Sequence, residues 1–491
     1  MRAPWLLLSA ALAGCSLAVD TRITQCAVDA DCDHFDDHPR CQEGLCVPSG
    51  LGPAGCFPGT PAEPSQFANH CTTAATFDFD NCMRLGMCDG DALAAGFATR
   101  AAPPDLGTIP PPVTSQPTPA ENCSAVAPNL IYITGSTNLP PLLKAVQPLL
   151  YAEHPPYVAI FAPQTSCKGA GSILDPDPSK HLIKNVLDNY ALYYDTAGAQ
   201  QLCLLDPAGN IVDVGESDVY PDSCNYAIVA DTADYLGPIQ AITLVVPSGS
   251  KQTVISAEAA HLVFGAGGDG GRAFPWSDPR YYFTRSSGTG TMQLVARSVG
   301  IDPAMAWGID RLSAANLVAS MEAVDPSVAN NAIGVVSSDF ADRSRANLRV
   351  LAFQQRGQLH GYLPDATATA FDKANVRDGH YPIWGAIHLL AATQNGVPSA
   401  AARALITRLT VPKLERETVS AIIASGFVPS CAMKVDHASE LGPLTGFRPE
   451  FGCGCFYDHE VNGKTSCTAC SGPGDCPGNA PACNYGYCEV Q

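Results

Sequence analysis

Apolar and polar positions follow two alternating periods through the middle of this chain. Leu130-Ile-Tyr-Ile-Thr134 and Tyr157-Val-Ala-Ile-Phe161 are apolar runs of strand length, and between them Leu139 to Ala152 carries apolar residues at helical spacing. Ala227-Ile-Val-Ala230 and Ala241-Ile-Thr-Leu-Val-Val246 read as further strands, followed by a helix from Ser256 to Phe264. Thr291 to Val299 reads as helix, Asn331 to Ser337 as strand, and Ile383 to Ala392 as an apolar stretch of mixed character. Strands alternating with helices predict an α/β fold with largely parallel sheets, and about 300 residues of such a pattern commonly form two lobes.

Outside this stretch cysteine replaces periodicity. Of the 21 cysteines, eight lie between Cys26 and Cys88, seven between Cys453 and Cys488, and five (Cys123, Cys167, Cys203, Cys224, Cys431) in the middle. Cys26, Cys32, Cys41 and Cys46 are spaced C-x5-C-x8-C-x4-C; Cys470, Cys476, Cys483 and Cys488 are spaced C-x5-C-x6-C-x4-C. An Asp precedes the second Cys in both, and a Gly lies two residues before the fourth, so the two read as copies of one small module. Segments this short build little core and depend on cross-links. The competing reading is zinc at Cys453-x-Cys455 and Cys467-x-x-Cys470, which lacks well-spaced His partners. Between residues 101 and 121 the Pro density forbids helix or sheet, which predicts an extended linker holding the middle away from the N-terminal region.

The first residues account for the odd cysteine. Met1-Arg2 is basic, Trp5 to Ala13 is apolar, and Leu12-Ala13-Gly14-Cys15 matches a bacterial lipoprotein cleavage box. Residues 1–14 are thus expected to be a signal peptide, with Cys15 lipidated and the other 20 cysteines free to form ten disulfides outside the cytoplasm. Ser16 favours the outer membrane over the inner. The formal charge of −19, from 28 Lys plus Arg against 47 Asp plus Glu, disfavours nucleic acid as a partner.

Three loops carry the candidate chemistry. Thr134-Gly135-Ser136-Thr137-Asn138 leads into the helix at Leu139, and Arg285-Ser286-Ser287-Gly288-Thr289-Gly290-Thr291 into the helix at Met292. The third is Gln164-Thr165-Ser166-Cys167-Lys168-Gly169-Ala170-Gly171-Ser172. Gly lets backbone approach a ligand, and the free N–H groups of a first helical turn, with neighbouring hydroxyls, favour an anion. The ordinary role of such a Ser or Thr is an N-cap.

A fourth segment, Val212-Asp213-Val214-Gly215-Glu216-Ser217-Asp218, resembles the V-D-F-G-A-S-D stretch of the phosphate-binding proteins of bacterial ABC transporters. Arg285 followed by Thr289-Gly290-Thr291 resembles that family's R-x-x-G-S-G-T, and the first loop resembles its strand-to-helix turn. Ile255 to Gly265, Trp276-Ser-Asp278 and Tyr381-Pro382 fit the same order. The likeness runs from about 130 to 430 and leaves out both cysteine-rich ends.

The resemblance implies a two-lobe fold of the type 2 periplasmic-binding-protein class. Lobe I would hold 128–243 and 380–430, and lobe II 244–379. Small disulfide-rich regions at 15–100 and 431–491 would flank them, with a linker at 101–127. It implies phosphate or a related oxyanion gripped between the lobes by Ser136, Thr137, Asn138, Lys168, Asp218, Arg285, Thr289, Gly290 and Thr291. Asp218 would accept the proton that phosphate carries and sulfate lacks; Arg285 would supply a charged fork. An ABC permease would be the partner. Asn138 stands where the family often has Phe or Ser, and an insertion from Ile173 to Leu205 brings Cys203, a candidate to pair with Cys167 or Cys224. The chain lacks His-Glu-x-x-His, Gly-x-Ser-x-Gly and a Gly-Lys-Ser/Thr phosphate loop, and its His residues are scattered. The expectation is therefore a binder without metal or cofactor rather than an enzyme. The alternative is a surface interaction protein whose cysteine modules contact other proteins.

Overall fold

The computed structural model describes residues 56–88, 121–184, 190–268 and 272–490, with the backbone of 40–42 and 45–47. The predicted signal peptide, Cys15, Cys26, Cys32 and the Pro-rich stretch to 120 lie outside the described residues.

Twelve strands make the main sheet: β1 (Leu130–Ser136), β2 (Val158–Gln164), β3 (Tyr190–Tyr194), β4 (Gln200–Leu204), β5 (Val214–Ser217), β6 (Thr232–Pro247), β7 (Tyr282–Thr284), β8 (Ile309–Asp310), β9 (Ile333–Ser337), β10 (Leu348–Val350), β11 (Trp384–Gln394) and β12 (Val397–Pro398). Their order is β8-β7-β9-β6-β11-β5-β1-β2-β3-β4, with β10 also on β6 and β12 on β11. The β5-β1-β2 and β8-β7-β9 groups are parallel. β6 and β11 run antiparallel to their neighbours and join the two groups. The expected α/β class is what the molecule has, although the sheet is more mixed than largely parallel.

β6 is the pivot of this arrangement. Thr232 to Ala241 pair with β11; from Ile242 onward the partner is β9. Its residues 237–247 are all buried. Cover on both faces explains why Ala241 to Val246 is a continuous apolar run rather than an alternating one. Tyr381 is buried where the chain returns, and its hydroxyl donates to Ile242 O at 2.7 Å. Ala227 to Ala230 is no strand: the run falls in a turn region with Ile228 and Val229 exposed, and β6 begins only at Thr232. Hydrophobicity alone does not separate such a run from a core strand.

Helices pack on this sheet through apolar stripes. In α1 (Pro140–Tyr151), Leu142, Leu143, Val146 and Leu150 are buried, and Pro140-Pro141 open the first turn, where their missing N–H groups cost nothing. α2 (Ser166–Leu174) begins at once after β2, α3 (Ala257–Ala266) is capped by Ser256, and α4 (Gly290–Ser298) follows the Arg285 loop. Each fully buried Leu, Ile or Val contributes roughly 1.5–3 kcal/mol. The insertion after Ile173 includes the β3–β4 hairpin at the sheet edge.

Residues 56–88 and the C-terminal cysteine-rich region are docked. Thr76–Phe77 adds an antiparallel strand beside Gly361–Tyr362, and Arg84 lies 4.0 Å over the Phe79 ring. Residues 56–88 are thus part of the globular body, not held away from it. The C-terminal helix α5 (Gly454–Asn462) packs on Arg416–Ala424, and Arg377 Nη1 pairs with Asp458 Oδ1 at 2.5 Å.

Eight disulfides join the sixteen cysteines between Cys56 and Cys488: Cys56–Cys71, Cys82–Cys88, Cys123–Cys203, Cys167–Cys224, Cys431–Cys453, Cys455–Cys467, Cys470–Cys483 and Cys476–Cys488. Cys203 therefore pairs with Cys123, not with Cys167 or Cys224. The four cysteines of the zinc alternative are all oxidised, in three different bridges. The module copies share a hairpin register: Cys41 faces Cys46 as Cys483 faces Cys488.

Candidate functional site

The C-terminal end of β5 meets the starts of α1, α2 and α4. Thr165 caps α2 by accepting Lys168 N at 3.3 Å, and Thr289 caps α4 by accepting Met292 N at 3.4 Å. The hydroxyl of Thr289 also donates to Ser286 O at 2.7 Å. Two of the three loops thus use a hydroxyl as a helix cap, the ordinary role. A β-carbon on Gly290 would stand 2.5 Å from Asp218 Cβ, so only glycine allows α4 to start this close to β5.

A buried polar cluster fills the junction. Asn138 Nδ2 lies 3.2 Å from Asp218 Oδ2, 3.2 Å from Gln240 Oε1 and 3.3 Å from Thr291 Oγ1. Ser166 Oγ donates to Asp218 Oδ2 at 3.2 Å and accepts Gly290 N at 2.9 Å. Arg285 Nη2 donates to Thr137 Oγ1 at 3.0 Å and to Leu312 O at 3.1 Å. Glu216 Oε2 accepts Ser136 N at 2.6 Å. These contacts close the seam between the two groups of strands, since Ser136, Thr137, Asn138, Ser166, Glu216 and Asp218 come from one side and Arg285, Gly290 and Thr291 from the other.

Charge here is acidic and dry. Glu216 is wholly buried, and burial first, then the charge of Asp218, hold its carboxyl well above the usual carboxylate range; the Ser136 N–H opposes this. Burial pulls the Arg285 guanidinium down to about 10, with Asp310 and Asp218 opposing, so it stays charged at neutral pH. Asn138 Oδ1, Asp218 Oδ1 and Glu216 Oε1 have no donor, and Arg285 Nε no acceptor, among the described residues.

Eight of the nine residues expected from the sequence converge here or at its edge. Lys168 does not: it is exposed on α2, two positions past the residue that reaches the cluster. That residue is Ser166, fully buried, which the loop sequence alone did not single out. Gln240 and Glu216 were also missed. Glu216 had a signal, because it stands where the resembled V-D-F-G-A-S-D segment has Ala.

No family model and no curated protein matches the chain. Solved structures that it resembles include an ABC-type phosphate transport receptor from Vibrio cholerae, at 12% identity over 61% of this chain and 100% of that one, TM-score 0.39. A human phosphate-binding apolipoprotein aligns at 16% identity over 68% of this chain and 99% of that one, TM-score 0.39. An OxyR mutant from Corynebacterium glutamicum aligns at 12% identity over 60% and 66%, TM-score 0.32.

Proposed function

We propose that this chain is an extracytoplasmic solute-binding lipoprotein. It captures phosphate or a related oxyanion between two lobes, 128–243 with 380–430 and 244–379, for uptake through an ABC-type permease. The observation that carries the reading is the convergence of Asp218 with Arg285 and the N-terminal starts of three helices in one buried seam. The V. cholerae phosphate transport receptor and the human phosphate-binding apolipoprotein agree with it. On binding, the anion takes over donors that now serve protein acceptors: Gly290 N, Ser166 Oγ, Asn138 Nδ2 and the Arg285 fork. Asp218 then accepts the proton of a protonated anion and leaves sulfate unpaired. Donors supplied from both sides require the cleft to open and reclose around the ligand.

No described helix is long and apolar enough to cross a membrane. The reading places attachment on lipid at Cys15, at the end of Leu12-Ala13-Gly14-Cys15. Calorimetric titration of the mature protein with phosphate, arsenate and sulfate tests the assignment. Phosphate binding with sulfate rejected is expected; a folded protein that binds none of the three defeats it. In that case the two cysteine modules, with their shared hairpin register, favour the second reading, a surface protein that contacts other proteins through them.

A further inference from the structure

Glu216 is the group for which an oxyanion site has no evident use. It lies on β5 two residues before Asp218, which follows the end of the strand, and the charge of Asp218 bears on it. Its Oε2 occupies the Ser136 N–H at 2.6 Å, a backbone donor at the end of β1 just ahead of α1. Gly135 makes room for it: a β-carbon there, at φ +158°, would stand 2.5 Å from Glu216 Oε2 and 2.2 Å from its backbone oxygen. Its Oε1 has no N–H or hydroxyl donor among the described residues.

Among the described residues no cation bears on this carboxyl: the groups that act on it are Asp218 and the Ser136 N–H. From β1 it meets Gly135 and Ser136, and from α2 a β-carbon on Gly169 would run into its backbone oxygen. On β11 the nearest titratable group is His388, opposite Ser217, and it is bonded to Asp234 of β6 at 2.7 Å. The single guanidinium of the seam, Arg285, is committed to Thr137 and Leu312 O and is shared between Asp218 and Asp310. Two carboxyl groups and one arginine leave no charge to balance an entering dianion.

We propose that Glu216 couples anion capture to a proton: the oxyanion displaces the Glu216 side chain from the Ser136 N–H, and the loaded site keeps Glu216 as the neutral acid, which donates its O–H to an anion oxygen. This rests on the oxyanion reading above and sharpens it. Asp218 takes a proton from the ligand and Glu216 gives one to it, so the pair reads a partly protonated tetrahedral anion from both directions. No covalent bond changes; the proton on Glu216 comes from solvent when Glu216 is ionised beforehand. The position of Glu216 on Ser136 N in the closed seam also makes it the tenant that the anion must evict.

The test titrates inorganic phosphate into the full mature chain and into Glu216→Gln from pH 5 to pH 9. The ligand's own titration is common to both proteins, so the ratio of their dissociation constants isolates Glu216. Glutamine keeps a donor and never ionises. The ratio of wild-type to Glu216→Gln dissociation constants is expected to be flat at acid pH and to rise about tenfold per unit at the alkaline end. A ratio that stays constant over the whole range while both proteins bind overturns the role of Glu216 and leaves the phosphate reading standing. Absence of binding by wild type, Glu216→Gln and Glu216→Ala alike, with all three folded by circular dichroism, overturns the oxyanion site itself. If Glu216→Gln fails to fold, Glu216→Ala serves in the same ratio: its loss of the alkaline slope supports the proposal, and retention of the wild-type slope defeats it.

Discussion

Ser166 Oγ accepts the Gly290 N–H at 2.9 Å, so one small hydroxyl ties the first turn of α4 to the first turn of α2 across the seam. The same oxygen donates to Asp218 Oδ2. Ser166→Ala removes both contacts and is expected to weaken phosphate binding by about 1.5–3 kcal/mol, the scale of a hydrogen bond to a charged group. Lys168→Ala, two residues on, is expected to leave the dissociation constant unchanged. Parallel titrations of the two variants check this; equal losses would put the cation back in the site.

The choice between Ser166 and Lys168 shows where sequence reading stops. A lysine in a glycine- and hydroxyl-rich loop looks like the anion's partner because it carries the charge. The helix starts at Ser166, however, and at 3.6 residues per turn two positions rotate a side chain about 200° away, to solvent. Where burial is continuous, as along β6, or where a hydroxyl loop ends in a helix, as at Thr289, the pattern was enough to place the element. Ile228 and Val229 mimicked a strand because an apolar run does not reveal whether anything covers it. The docking of residues 56–88 and the Cys123–Cys203 bridge depend on contacts far apart in the chain, for which local spacing carries no signal.

Glu440 makes part of the stability dependent on pH. It accepts Tyr220 N at 2.9 Å, and Ser223 Oγ lies at 3.4 Å. Burial pushes its carboxyl up from 4.5 to about 7, against the Tyr220 N–H, His388, Ser223 and Arg297. The folded state therefore binds the proton more tightly than the unfolded chain, and this contribution to stability is lost as pH rises from about 4.5 to about 7. Glu440→Gln does not titrate. Its stability relative to wild type is expected to climb across that window, by roughly 2–3 kcal/mol, and then level off. Urea unfolding at pH 4.5 and pH 8 measures it; a difference independent of pH would remove Glu440 as the source.

Cys15 is expected to carry the anchor. Cys15→Ala should move the protein from the membrane fraction to the soluble extracytoplasmic or secreted fraction without changing phosphate affinity, because the lipid and the seam are separate. The sixteen cysteines between Cys56 and Cys488 should resist alkylation until reduced. A Cys15→Ala protein that stays integrally bound would mean another segment holds it.

Arg285 and Asp218 should fail in different ways. Arg285 is buried, and its Nη2 already holds Thr137, so Arg285→Ala strips the charged donor and frees the first loop at once. Phosphate affinity is expected to fall by about 2–5 kcal/mol, the scale for truncating one partner of a buried charge pair. Asp218→Asn removes the repulsive member of the site instead. Its amide still accepts from Asn138 and Ser166 through one oxygen and offers an N–H to the anion in place of a lone pair. The phosphate loss should be smaller, and sulfate, which wild type rejects for want of a proton, should gain. Titration of wild type and both variants with phosphate and sulfate at fixed ionic strength separates the two effects. If Asp218→Asn keeps the wild-type ratio of phosphate to sulfate affinity, Asp218 is only a structural acceptor for Asn138 and Ser166.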